Sequence, residues 1–115
     1  MATYKKNLKR ETIANKDYRR VVATTSQIQL VLMNIPTGEE IGAESHPSTT
    51  QFFRVESGRG VAIVSGKRYN LRSGDALIVP AGKRHNIIST DNLVLYTIYS
   101  PPEHPMNRVQ RVKKD

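Results

Sequence analysis

QFFRVESGRGVAIVSGKRYNLRSGDALIVP, residues 51–80, is the stretch that decides the fold. Short runs at Gln51–Val55, Val61–Val64, Arg68–Leu71 and Ala76–Val79 alternate with turn-forming clusters at Ser57–Gly60, Ser65–Lys67 and Arg72–Asp75. Runs of this length, rich in β-branched and aromatic side chains and bounded by Gly and Ser, suit strands rather than helices.

The same rhythm extends in both directions. Upstream lie Val21–Thr24, Gln27–Ile35 and a strand through Ile41–Ser45; downstream lie His85–Ile88 and Leu93–Tyr99, after which Pro101, Pro102 and Pro105 end regular structure. Eight or nine strands at intervals of about ten residues predict an all-β sandwich or barrel with no helix. The first twenty residues, too polar to assign, are expected to form an edge strand or an arm that touches a partner. The domain reading is a basic N-terminal arm over 1–20, a barrel over 21–103 and a basic tail over 104–115.

Composition narrows the function classes. The chain has 115 residues and no cysteine, which rules out disulfides and thiolate metal sites. No apolar run approaches the roughly 20 residues of a membrane span, and a soluble cytoplasmic protein is expected. The net charge of +8 invites a nucleic-acid reading until it is mapped. Residues 1–20 carry seven Lys/Arg against two acids, residues 104–115 four against one, and the middle is balanced. Basic ends attract phosphate or anionic lipid, but no cluster of aromatics for base stacking accompanies them. Nucleic-acid association through the termini is the weakest of three readings.

Chemistry concentrates in four residues. Glu44 and His46 stand two apart in an extended segment, so both point to one face. In a small barrel one face is the interior, where a carboxylate is costly unless a cation meets it. Gln51 adds an amide oxygen after a short loop, and His85 follows a Pro-x-Gly turn at the head of another strand. Such a nitrogen and oxygen set suits iron, manganese, nickel or zinc.

The spacing of these residues resembles the two motifs of the cupins. Gly38, five residues, Glu44-Ser45-His46, four residues, Gln51, six residues and Gly58 are similar to the first motif, with Glu in the first His place and Gln in the Glu place. Gly74, five residues, Pro80-Ala81-Gly82, two residues, His85, three residues and Ser89 are similar to the second, with Ser for Asn. The motifs cover residues 38–89. The runs Gln51–Arg54 and Tyr99–Pro105 resemble those of small single-domain type-2 cupins, loosely likened to sugar isomerases such as mannose-6-phosphate isomerase. The resemblance implies a jelly-roll (double-stranded β-helix) barrel, a homodimer, and one divalent metal held by Glu44, His46, Gln51 and His85.

Two functional readings follow. One is a metal-dependent enzyme, oxygenase- or isomerase-like, acting on a small molecule; the other is a non-catalytic cupin that binds a small ligand or a protein. No general acid or base outside the ligand set is identified. Phe52, Phe53, Tyr96 and Tyr99 read as core or dimer contacts, with Phe53 and Tyr96 also candidates to line the mouth, and His104 reads as an exposed tail residue.

Overall fold

The computed structural model describes residues 2–114. In chain order these form α1 (Leu8–Ala14), β1 (Arg19–Thr24), β2 (Gln29–Ile35), β3 (Thr50–Val64), β4 (Lys67–Arg72), β5 (Ala76–Val79), β6 (His85–Ser100) and β7 (Val109–Gln110). The strands share one antiparallel sheet in the order β4-β3-β6-β2-β1-β7, with β5 also paired to β3.

The two long strands give the sheet its shape. β3 and β6 pair along almost their whole length, with register shifts between Val55 and Gly60. The first half of β3 and the second half of β6 lie with β5 and β2. Beyond the shifts, the second half of β3 pairs with β4 and the first half of β6, which bridges to Glu40 and Glu44. The sheet bends on itself into a jelly-roll barrel, as expected.

The sequence reading divided β3 at Ser57–Gly60 and β6 at Thr90–Asn92 with turns; each is instead one bent strand. The reason is the closeness of the crossing. A Cβ on Gly58, at φ +84°, would lie 2.0 Å from the Asn92 carbonyl oxygen, and one on Gly60 would lie 2.5 Å from that of Ile88. These glycines let two backbones meet at a corner, as at bulges that bend a sheet.

Alternation within each strand puts Val31, Met33, Ile35, Phe53, Val55, Leu93 and Leu95 in the core, each at most 1% exposed. Ile41–Ser45 is not a full strand: only isolated bridges form there, and Gly42, at φ +102°, interrupts the ladder. β2 begins two residues late, since Thr25 Oγ1 accepts from Gln27 and Ile28 N–H groups in the preceding turn.

The helix α1 was not expected. Asn7 caps it through Oδ1, which accepts from the Arg10 N–H at 3.0 Å, and Glu11 in its first turn opposes the positive end of the dipole. Thr12 is buried, and Asn34 on β2 donates to the Asn15 carbonyl at the helix end. Beyond the prolines, β7 pairs with β1, so regular structure resumes there. No helix of the described residues is long and apolar enough to cross a membrane.

Gly58→Ala is expected to destabilise the chain by about 2–4 kcal/mol, through left-handed strain and a backbone clash together. Urea unfolding reads this directly; a change within 0.5 kcal/mol, roughly that of an ordinary surface substitution, would mean that the corner has slack.

Candidate metal centre

One pair of backbone hydrogen bonds builds the site. Glu44 N–H donates to the His85 carbonyl at 2.9 Å, and His85 N–H donates to the Glu44 carbonyl at 2.8 Å. Residues that exchange both bonds face each other with their side chains on one side of the ladder. His46, two residues on, returns to the same face and is held through its carbonyl by the Gly82 N–H at 2.8 Å. Ligand atoms of Glu44, His46 and His85 accordingly all lie within 4.8 Å of one another. Glu44 Oε1 is 3.3 Å from His46 Nε2 and 3.8 Å from His85 Nε2.

Both imidazoles turn the same nitrogen inward. His85 Nδ1 lies 3.1 Å from the Lys83 carbonyl, an acceptor only, which assigns the donor role to Nδ1 and turns Nε2 toward the centre. His46 Nδ1 faces the Glu103 carboxylate at 3.7 Å. Both Nε2 atoms are buried without a hydrogen-bond partner. Gln51 stands on the inner face of β3, 1% exposed, with its amide nitrogen donating to Thr97 Oγ1 at 2.9 Å and its Oε1 buried and unpartnered. These are donor types for a borderline divalent cation, with the far ends of His85 and Gln51 held by hydrogen bonds and that of His46 facing a carboxylate. The residues present fit a metal.

The walls come partly from expected aromatics and partly from residues that sequence reasoning passed over. Phe53 lines the centre as expected, its ring edge-on to His85 at 6.2 Å. Tyr96 does not: it pairs with Arg54 and Leu32 on the outer face. Tyr99, 1% exposed, packs edge-on against His46 at 5.8 Å and meets His104 Nε2 through its hydroxyl at 3.2 Å. His104 is thus half-buried rather than an exposed tail residue. Glu103 and Gln29 were not singled out at all. Gln29, fully buried, accepts the Glu103 and His104 N–H groups and donates to the His104 carbonyl at 2.7 Å, pinning the proline segment over the site. Thr49 Oγ1 then orients the Glu103 carboxylate at 2.7 Å. Their signal was weak because Gln29 sits in a strand pattern and Glu103 in a proline-rich stretch. Ser89 Oγ accepts the Leu93 N–H, a role in the fold.

Burial pushes the Tyr99 hydroxyl well above its ordinary range, with Arg19 opposing and Glu44 adding to the shift. Burial, then the charges of Arg19 and Arg108, pushes His104 down to about 4. A cavity of about 600 Å³ lies elsewhere, between the N-terminal arm and β1 and β2. Converging donors locate the chemistry better than volume does. A groove of about 400 Å³ beside Ala43, Ile63 and Arg84 does reach His85.

The cupin domain family matches residues 31–99. The chain is 41% identical over 117 residues to an uncharacterized protein of Bacillus subtilis (strain 168), covering 95% of this chain and 63% of that protein. It is 42% identical over 112 residues to an uncharacterized protein of Acanthamoeba polyphaga mimivirus, covering 92% and 70%. The crystal structure of BH2720 from Bacillus halodurans superposes with a TM-score of 0.96 at 37% identity, covering 98% of this chain and 92% of that one.

A histidine neutral in the fold and titrating at about 6.5 when unfolded costs stability as pH falls between 6.5 and His104's folded value of about 4. The unfolded chain binds more protons across that window, so stability rises with pH there. His104→Gln is expected to remove on the order of 1 kcal/mol of the acid loss, a figure reduced because solvent screens a half-exposed ring. Urea unfolding of chelated protein at pH 7 and pH 4 tests it; parallel losses in both proteins would contradict it.

Proposed function

This chain belongs to the cupin family, and we propose that it binds one divalent transition metal and acts on a small molecule at that centre. The carrying observation is that Nε2 of His46 and of His85 are buried, unpartnered and aimed at one carboxylate, Glu44. Two imidazoles and a carboxylate match the ligand types of sites that leave positions open for substrate. Gln51 Oε1 is proposed as a fourth donor. Iron, manganese, nickel and zinc all suit the set. A bound ion there supplies Lewis acidity to substrate oxygens.

The chain's own groups do the rest. The Lys83 carbonyl holds the His85 Nδ1 side of its ring and the Glu103 carboxylate faces that of His46, which leaves the inward nitrogens free to bind. Phe53 and Tyr99 exclude water from one side. The Tyr99–His104 pair offers an un-ionised hydroxyl on a neutral imidazole, the nearest candidate for the proton transfer that isomerase-type chemistry needs. Oxygenase-type chemistry needs no such group. A non-catalytic ligand-binding cupin is the alternative.

We further propose that a second copy of the chain covers the outer sheet face. Ile78, 63% exposed, shares a cross-strand row with Phe52, Ile98 and Leu30. An apolar row of this kind on a sheet suits a two-fold contact.

Metal analysis of protein purified without chelator is expected to give close to one ion per chain, lost in Glu44→Ala and His85→Ala. Trace metal indifferent to both substitutions would sink the metal reading and favour the non-catalytic one. Light scattering should report twice the chain mass for wild type and a single chain for Ile78→Asp; a monomeric wild type would refute the dimer.

A further inference from the structure

Arg19 is placed where a charge needs an explanation. It pairs directly with Met33 on β2 and Gln110 on β7. Paired residues of an antiparallel ladder share a face, and Met33 is fully buried, so the Arg19 side chain is on the inner face too. Its neighbour Arg20 has a counter-ion, Asp17, at 3.0 Å. No carboxylate of the described residues forms an ion pair with Arg19. One guanidinium nitrogen donates to the neutral Gln110 Oε1, the guanidinium carbon stands 5.2 Å from the Tyr18 ring centre, and Nε is buried without a partner. Arg19 is partly exposed and also hydrogen-bonds the Tyr18 side chain, so solvent and neutral partners carry part of the charge, and an anion would complete its pairing.

Arg19 and the residues of the candidate centre share the inner side of the barrel, Arg19 beside Met33 and Tyr99 against His46. The hydroxyls of Tyr18 and Tyr99 each lie within electrostatic reach of both Arg19 and Glu44, and His104 senses Arg19 as well. Tyr99 touches His46 with its ring and His104 with its hydroxyl. Neither tyrosine supplies the missing negative charge at neutral pH, since a phenol ionises only at about pH 10.

We infer that Arg19 anchors a carboxylate of the small molecule, which makes the ligand an organic acid with a further oxygen function turned toward Glu44, His46 and His85. Only the second end of that ligand rests on the metal reading. The planar fork of guanidinium donors matches a carboxylate, and the contacts to Gln110 and Tyr18 fix its plane beforehand. A single cation balances a single carboxylate. A phosphate dianion would leave a second charge facing Glu44 and Glu39, the two acids that Tyr18 senses.

Isothermal titration of the full chain, metal-loaded and chelated, with malonate, succinate, inorganic phosphate and neutral succinamide tests this. Wild type is expected to bind a dicarboxylate, to ignore succinamide, and to lose on the order of ten- to a hundredfold in affinity in Arg19→Gln, with metal content unchanged. Arg19→Met, which fills the space without a buried donor, replaces Arg19→Gln if the latter lacks a native near-ultraviolet spectrum. Equal carboxylate affinity with and without Arg19, tighter phosphate than carboxylate binding, or no carboxylate binding at millimolar concentration would overturn the inference. Full metal with Arg19-indifferent binding refutes this inference alone. Arg19-dependent carboxylate binding in a chain without metal supports it while refuting the metal reading.

Discussion

The centre depends on the reciprocal hydrogen bonds between Glu44 and His85. They join a segment that is barely a strand to the first residue of the longest one. Without them Glu44 and His46 would hang on an irregular loop containing Gly42 and Pro47. With them, two ligands from positions some forty residues apart share one face of one ladder. The bend at Gly58 and Gly60 then carries that ladder over the inner face of β3, so Phe53 meets His85. A clash at the corner would therefore reach the metal ligands through geometry, with no ligand altered.

The second support is Gln29. A buried amide is tolerable only when its donors and acceptor are satisfied, and Gln29 spends both ends on Thr24, Glu103 and His104. The proline segment is thus fastened by a side chain from across the sheet. Its reward is positional: Glu103 reaches His46, and His104 reaches Tyr99. The same strand-to-tail logic recurs where Gln110 meets Arg19, so residues after the barrel's last long strand finish the environment of residues before its first.

Much of this was legible in the sequence. Alternation and turn spacing pointed to an all-β sandwich or barrel, the resemblance to the cupin motifs narrowed it to the barrel, and those motifs picked out Glu44, His46 and His85, which the fold brings together. What escaped has physical causes. Strand continuity through Ser57–Gly60 was hidden because glycine marks both turns and close crossings, and only the partner strand distinguishes them. The helix over Leu8–Ala14 was hidden because its apolar face is small, its burial centring on Thr12 and its start on a capping asparagine. Glu103, Gln29 and Arg19 act through contacts across 57 residues or more, from His46 to Glu103, Gln29 to His104 and Arg19 to Gln110. No local pattern encodes those pairings.

Unsatisfied polar atoms bind these strands of argument together. Buried side-chain groups in folded proteins almost always find partners, and each one that does not costs about 1–3 kcal/mol. Among the described residues, five side-chain atoms lack them: Nε of Arg19 and Arg54, Nε2 of His46 and His85, and Oε1 of Gln51. Random imperfection would scatter such atoms over the core. Three of them are instead lone-pair donors, two of these beside one carboxylate, and a fourth is a cation on the same inner face. Lone pairs await a cation and the guanidinium awaits an anion, so the deficits are of opposite sign. A metal alone would answer the first set and leave Arg19 unpaired; an organic acid alone would answer Arg19 and leave the imidazoles bare. The proposed metal and acid together would meet the orphaned donors and acceptors on that inner face, and among the described residues would leave Arg54 on the outer side of β3.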